Sequence, residues 1–501
     1  MHLLKTIEDH VLTNPEAIAF VSNGDQISYK DLWEKSDNIS ASIIQMSLKD
    51  SSPILVYGHM ETEMIVCFLA SVKSGHPYIP IDISIPIDRV TKIIESSKAE
   101  LILNVSKLPI SINNNVQVYE VNEIEKLYLN NNVVSDSWVK DDENFYIIYT
   151  SGSTGNPKGV QISANNLQSF VDWMLKDYPI NEKLVFINQA PFSFDLSVMD
   201  IYPALASGGT IFAITKDMIA KPKFLFESLR VSKAQVWTST PSFIQMCLMD
   251  PSFTQELLPE IRVFLFCGEI LSPSICYQLR ERFPSARIFN TYGPTEATVA
   301  VTGIEVTDAL LKSYQVLPIG LPKNDTKIVL LDGDKSVEDG EKGEIIIVGP
   351  SVSKGYLGQK EMTEKAFFEY EGEPAYRTGD AGFINNNTLF YKGRMDYQIK
   401  LHGYRIEIED IEHQILKTSY VKATVVIPIT QNEKVEYIMA AIVPTEHPFE
   451  KEFQLSAAIK KELGEILPAY MIPRKFIYCD ELPMTPNGKV DRKLIKEKVL
   501  V

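Results

Sequence analysis

At 149–160 the sequence reads YTSGSTGNPKGV, a short run that gathers hydroxyls, flexible backbone and one cation. Thr150, Ser151, Gly152, Ser153, Thr154 and Gly155 give up side-chain bulk together. Glycine lets the main chain approach an anion closely, and the N–H groups of such a loop can point at phosphate oxygens. Pro157 stiffens the turn, and Lys158 adds positive charge. The apolar residues 145–148 before the loop read as a buried strand. Strand, small-residue loop and lysine, in that order, make a grip for a polyphosphate. It is not a P-loop, because Pro157 stands where that pattern needs its second glycine. Neither is it a dinucleotide G-x-G-x-x-G or a G-x-S-x-G elbow. From this stretch alone, an ordinary Gly/Ser-rich surface loop is the competing reading.

Other stretches carry chemistry of their own. NTYGPTEAT at 290–298 offers Tyr292, whose flat ring can stack on a purine, a sharp Gly293-Pro294 turn, and the hydroxyl and carboxylate of Thr295 and Glu296. A plain turn before a helix capped by Thr295 competes with that reading. In YRTGD at 376–380, Asp380 at a strand end can accept hydrogen bonds from ribose hydroxyls, or can belong to a salt-bridged turn. YKGRMDYQIK at 391–400, continued by LHGYRIE, reads by itself as a charged hairpin. Lys489 lies on a Pro/Asn/Gly turn in LPMTPNGKVDR at 482–492, placed to deliver an ammonium into a cleft. Such a cation stabilises charge building on a carboxylate oxygen and a phosphate during attack. Asp195, in PFSFD at 191–195, stands just past a strand, where it either binds a cation or caps a helix beginning at Leu196. Cys267 has nothing basic near it in sequence, so a small buried thiol is favoured over a nucleophile.

The elements that must position these groups show a rhythm. From 145 to 300, apolar strand-like runs end in polar clusters: YTSGST, PFSFD, STPS at 239–242, FCGE at 266–269 and NTYGPTE. Helical patterns separate them, which implies parallel βαβ units with ligands beyond the carboxyl ends of the strands. All five clusters are therefore expected at one edge. Before 145, strands are expected at 54–58 and 101–105, and 75–82 reads as a Pro-punctuated extended loop. Residues 315–395 read as a small β-rich lobe. The acidic run 332–339 lacks the glycine of a calcium loop, having Val337 there, and reads as a hairpin turn. The last hundred residues form another unit, with helices near 407–416 and 454–467 and strands at 423–427 and 438–443.

A chain of 501 residues is too long for one ordinary core. Its net charge of −16 argues against a nucleic-acid binder and against docking on an anionic membrane. No apolar run reaches the roughly 18 residues a membrane span needs. The five cysteines are scattered in apolar runs and the opening MHLLKTIEDH does not resemble a signal peptide, so a cytoplasmic protein with reduced thiols is expected. The seven histidines form no metal pattern.

Taken in order between residues 27 and 492, these strings resemble the adenylate-forming (ANL) enzymes: acyl-CoA synthetases, luciferases and the adenylation domains of non-ribosomal peptide synthetases. The resemblance implies an α/β fold: a large N-terminal domain, 1–395, of two α/β subdomains plus a distorted β-barrel lobe, and a small mobile α+β domain, 396–501. It implies ATP and Mg2+. The loop from Thr150 to Lys158 would hold phosphates, and Asn290, Thr291, Tyr292, Gly293, Pro294 and Thr295 the adenine and α-phosphate. Glu296 would serve the metal, Asp380 the ribose, and Arg394, with Tyr391, Lys392 and Gly393 beside it, the nucleotide side of the domain junction. Asp396 falls at the hinge position and Lys489 at that of the catalytic lysine.

Where fatty-acid and aryl-acid relatives often have His near 195, amino-acid-activating relatives carry Phe-Asp, and the Asp holds the substrate ammonium. Asp195 then implies an amino acid, with Lys489 also on its carboxylate. Cys267 and Val299, both larger than Gly, shorten the side-chain pocket until a methyl fits. The string NQAPFSFDLSVMDIYP at 188–203 adds to a resemblance to those members that activate D-alanine and pass it to a separate phosphopantetheinylated carrier protein for lipoteichoic acid D-alanylation. Handedness comes from that resemblance and not from the residues. The competing readings are another small amino acid, coenzyme A as acceptor, and a non-catalytic nucleotide sensor.

Overall fold

The computed structural model describes residues 3–110, 116–124, 135–152, 156–396, 398–431, 434–483, 492 and 494–496. They form two compact units. The first comprises Met1–Ile83, Ser96–Tyr149 and Gly159–Met395, and the second Ser84–Glu95, Thr150–Lys158 and Asp396–Val501.

One six-stranded sheet contains β1 (Ile54–Gly58), β2 (Tyr78–Asp82), β3 (Leu101–Asn104) and β4 (Asn144–Thr150), in the order Gln117–Glu120, β3, β1, β2, β4, Lys158–Ser163. Finding β2 here corrects the expectation of a loop at 75–82. Prolines normally exclude a segment from a central strand, since they cannot donate to the ladder. Here Pro80 lies opposite Val56 of β1, while β2 pairs with β4 only through Tyr78 opposite Tyr146 among the described residues. The ladder is therefore carried on one side.

The nine-stranded sheet contains β5 (Val185–Asn188), β6 (Thr210–Ala213), β7 (Val236–Ser239), β8 (Val263–Phe266) and β9 (Arg287–Tyr292). Its order is Leu321–Pro322, Thr302–Glu305, β9, β8, β7, β5, β6, Ile18–Ser22, Asp25–Ser28. The strands from Ile18–Ser22 through β9 are mutually parallel. Their side chains alternate between two cores, with Phe186, Val236 and Leu265 in one and Ile187, Trp237 and Phe264 in the other. Burial on both faces is why these strands read as unbroken apolar runs. The strand order reverses between β5 and β7, and at such a switch point a crevice opens beyond the carboxyl ends.

Four of the five polar clusters follow β5, β7, β8 and β9 and share the carboxyl edge of this sheet. The fifth, YTSGST, follows β4 of the other sheet, so the expectation of one shared strand edge is corrected. Periodicity identifies strands but not which sheet each one joins.

The lobe after residue 320 is a six-stranded antiparallel sheet. Its members include β10 (Gly343–Val348), β11 (Glu373–Asn385) and β12 (Thr388–Arg394), and it forks at β11, which pairs with β10, β12 and Phe367–Tyr370. In the second unit, Val421–Gln431 and Lys434–Pro444 pair antiparallel, and Lys475–Tyr478 joins the latter in parallel. Helices Ile408–Ile415 and Glu452–Ile466 supply Ile411, Ile415, Ile459 and Leu463 to its core. No helix among the described residues is long and apolar enough to cross a membrane.

Candidate active site

In the first unit Tyr292 and Asp380, 88 residues apart in sequence, meet at one carboxylate. Asp380 lies in β11 opposite Arg394 of β12, next to an irregularity in that ladder. Gly379 before it has φ 68°, a left-handed conformation that glycine adopts without a Cβ penalty. Arg394 Nη1 donates to Asp380 Oδ1 at 3.0 Å and to the Thr378 carbonyl at 2.9 Å. From β9, Tyr292 donates its hydroxyl to Asp380 Oδ2 at 2.6 Å. The Asp380 N–H is taken by Thr378 Oγ1 at 2.9 Å, and that hydroxyl donates in turn to the Ile345 carbonyl at 2.7 Å. Burial first, then the neighbouring Asp380 charge, raises the Tyr292 hydroxyl well above its ordinary pKa, which keeps it a donor. The result is a fixed acceptor, 2% exposed, beside an aromatic ring 5% exposed. Tyr391 sits with its ring centroid 6.4 Å from that of Tyr292, while Lys392 is exposed with its amine over Phe383.

After β9 the chain does not enter a helix capped by Thr295. Residues Thr295–Ala297 make a single tight turn behind Pro294, and Thr298 and Val299 follow at φ 58° and 69°. A β-branched valine in that region is a strained backbone of the kind that clusters at functional sites. Gly293 permits the doubling back, since a Cβ there would lie 2.5 Å from the Ala300 Cα. The loop brings Val299 beside Cys267, with the thiol 3.9 Å from the Val299 carbonyl. Both are buried, so the two residues expected to shorten a side-chain pocket are neighbours. Asn290 and Thr291 spend their side chains on the Pro318 and Phe266 carbonyls, at 2.8 and 2.9 Å. Glu296 is fully buried and accepts from Tyr356 at 2.7 Å. Nothing in the sequence signals Tyr356, which lies 60 residues further on.

Asp195 opens the turn Asp195–Ser197, before helix Val198–Ser207. The N-cap of the turn is Phe194 and that of the helix Ser197, so Asp195 stands one residue inside the turn and not at either N-cap. The Asp195 charge is felt by Tyr146 of β4, whose hydroxyl is raised well above its usual value by burial first, then by Tyr78 and Asp195. None of the five cysteines is in a disulfide, and burial pushes the Cys247 and Cys276 thiols up to about 12.

Ser151, Gly152 and Lys158 belong to the second unit. Ser151 donates to the Arg405 carbonyl at 2.9 Å and accepts from the Glu407 N–H at 3.3 Å. Lys158 Nζ lies 3.8 Å from the Glu407 carboxylate. At Gly152 a Cβ would meet the Asn156 carbonyl oxygen at 2.2 Å, so the tight loop depends on glycine there. Asp396 accepts from the Gln398 N–H at 3.1 Å. Ser153, Thr154, Gly155 and Lys489 lie outside the described residues.

A parallel sheet with an aromatic ring and a tight acidic turn at its carboxyl edge, and a buried carboxylate brought to that ring by the lobe, is the layout of α/β proteins that hold a ligand beyond their strand ends. The sequence matches the family model of the AMP-binding enzymes over residues 7–357 and that of the AMP-binding enzyme C-terminal domain over 410–489. This chain belongs to that family, the adenylate-forming enzymes. It is 60% identical, over the full length of both chains, to the D-alanine–D-alanyl carrier protein ligase of Bacillus licheniformis. The proteins of that name from Bacillus velezensis and Bacillus anthracis are 57% and 56% identical, again over both full lengths. Among solved structures, the fold is shared with the Vibrio cholerae adenylation domain in complex with glycyl-adenosine-5'-phosphate. That match has TM-score 0.85 and 22% identity, and covers 99% of this chain and 97% of that one. It is shared too with the o-succinylbenzoate CoA synthetase of Bacillus subtilis, at TM-score 0.84 and 20% identity over 98% of each.

Proposed function

We propose that this enzyme activates D-alanine with ATP and loads it on the phosphopantetheine thiol of a separate carrier protein, for D-alanylation of lipoteichoic acid in the cytoplasm. The observation that carries the reading is the 60% identity to a ligase of that name over the whole of both chains. In the first half-reaction a D-alanine carboxylate oxygen attacks the α-phosphorus in line, and pyrophosphate leaves. In the second, the carrier thiol sulfur attacks the carbonyl carbon, AMP leaves and the thiol proton is lost to solvent. Such chemistry asks the protein mostly for positioning and charge neutralisation.

Asp380 accepts from the ribose, Tyr292 flanks the adenine, and the 150–158 loop takes the phosphates with Lys158. Lys489 neutralises charge on the attacking carboxylate and the α-phosphate. Asp195 pairs with the substrate ammonium, and Cys267 with Val299 leaves room for a methyl. A rotation at Asp396, between domains 1–395 and 396–501, separates the two half-reactions. The described residues hold no group of three or more acidic, His or Cys side chains suited to a metal. A lone Glu296 still fits Mg2+, which is commonly held by one or two carboxylates together with substrate phosphates and water. Bound there, the ion would neutralise phosphate charge.

The test is pyrophosphate exchange into ATP with D-alanine, L-alanine, glycine and D-serine, on wild type and Cys267→Ala. D-alanine leads on wild type, the smaller residue relaxes the preference toward L-alanine, and Lys489→Ala abolishes exchange. A wild-type preference for L-alanine or for a fatty acid overturns the substrate reading. Loading of coenzyme A as fast as of a phosphopantetheinylated carrier overturns the acceptor.

A further inference from the structure

Tyr292 was singled out for its ring, yet its best-defined interaction is made by its hydroxyl. At 2.6 Å from Asp380 Oδ2 the bond is short and charge-assisted, and both partners are buried. Asp380 sits in β11 and Tyr292 ends β9, so the bond ties the lobe to the nine-stranded sheet within the first unit. The other carboxylate oxygen is taken by Arg394, a residue of the same lobe. With Tyr292 on Oδ2 and Arg394 on Oδ1, the carboxylate plane is set by two anchored donors from different sheets.

An ionised carboxylate has about four acceptor positions, so two donors still leave capacity for a diol. An Asp side chain free to turn about χ2 would have to be ordered when nucleotide binds, and that cost would lower affinity.

We propose that the Tyr292 hydroxyl is a positioning group for nucleotide recognition, presetting Asp380 to read the ribose diol, separately from any contact its ring makes with the base. The inference rests on the reading of Asp380 as the ribose acceptor. Tyr292→Phe removes the hydroxyl and keeps the ring, so base stacking is preserved while Asp380 loses one anchor. The protein's other contacts to the nucleotide are untouched.

The experiment measures KM and kcat for ATP, 2′-deoxy-ATP and 3′-deoxy-ATP in D-alanine-dependent pyrophosphate exchange. It uses the full-length wild type, Tyr292→Phe and Asp380→Ala, with thermal melting to confirm that each is folded. Wild type should prefer ATP over both deoxy analogues, and Tyr292→Phe should reduce that preference about fivefold or more. The change should come through the KM for ATP, with the KM values for the deoxy analogues and kcat moving much less. A purely structural hydroxyl would instead raise all three KM values alike or lower only the melting temperature, and either result overturns the proposal. If Asp380→Ala collapses the preference while Tyr292→Phe keeps it, the ribose reading stands and the positioning role falls. If Asp380→Ala keeps the preference, both fall.

Discussion

Two buried aspartates hold different parts of the first unit together, and they do so with different partners. Asp82, at the end of β2, receives His59 Nδ1 on one oxygen at 2.6 Å and the Lys216 ammonium on the other at 2.7 Å. The Lys216 N–H closes the circuit by donating to His59 Nε2 at 3.2 Å. Since Lys216 follows β6, this ring of bonds fastens the six-stranded sheet to the nine-stranded one. Asp380 also joins two sheets, but one of its anchors is a neutral phenol and the other a guanidinium on its own lobe. A cation delivered from the opposite sheet favours the first carboxylate as a fastening. A neutral donor there, with the guanidinium on one oxygen only, leaves the second with acceptor capacity to offer a ligand. Burial of an aspartate is therefore no guide to its role; the partners are.

The largest expected effects would split the two sites. Asp380→Ala should lower kcat/KM for ATP about a hundredfold and, because it leaves the Arg394 guanidinium without its carboxylate, should cost stability as well. Asp82→Ala should cost stability alone. Removing one member of a buried pair costs about 3–5 kcal/mol. The lower end applies here because the Lys216 side chain is 39% exposed and can turn to water once released. The unfolding free energy in urea should fall by about 3 kcal/mol, while the KM for ATP of the folded variant stays within about twofold of wild type. A tenfold rise in that KM would break the comparison and make Asp82 part of the nucleotide site.

Acid should find the same difference. Burial by itself would raise the Asp82 carboxyl, but the hydrogen bond from His59 and the Lys216 charge outweigh it and hold the group well below the usual aspartate value. A folded-state pKa below the unfolded one contributes stability that is complete above about pH 5 and fades as the pH falls below about 4. The stability gap between wild type and Asp82→Asn should therefore be present at about pH 7 and narrow as the pH drops below about 4. Urea unfolding at stepped pH measures it. A gap that widens in acid would reverse the sign and discard the ion-pair account.

The motif strings were legible because each is local. Glycine at 152 and 293, proline beside it and the hydroxyls around them act over a few residues. The alternation of apolar runs and polar clusters gave the parallel strands after 145 for the same reason. What joins the strings was not legible. That YTSGST ends a strand of a different sheet from NTYGPTE depends on pairing far along the chain, Tyr146 with Tyr78. The strand at 78–82 was hidden by Pro77 and Pro80, whose cost is escaped only because of how its neighbours pair. Tyr356, beside Glu296, carries no motif signal, since a single Tyr looks like any core position, and Glu407, which closes the LHGYRIE string, does not announce Lys158 as its partner. The left-handed Val299 could not be foreseen either, because nothing in a valine advertises positive φ.

The smallest expected effect concerns Tyr356, and it asks whether Glu296 resembles Asp380 or Asp82. Glu296 is fully buried and its Oε1 accepts from the neutral Tyr356 hydroxyl, as Asp380 accepts from that of Tyr292. If the comparison is general, Glu296 is a held ligand, and Tyr356 fixes the direction in which its carboxylate can meet a metal–nucleotide complex. Tyr356→Phe removes one hydrogen bond to a charged group, worth about 1.5–3 kcal/mol when all of it is felt. The ring packs against Phe367 at a centroid distance of 5.4 Å, so phenylalanine keeps most of the fold. The variant should need about threefold to tenfold more Mg2+ for half-maximal pyrophosphate exchange, with a smaller change in the KM for D-alanine. Electron paramagnetic resonance of Mn2+ in the presence of ATP gives a readout independent of turnover, and the affinity for the Mn2+–ATP complex should weaken in parallel. If Tyr356→Phe lowers the melting temperature and leaves both metal readouts unchanged, Glu296 is a fastening like Asp82, and the metal must be held by the phosphates without it.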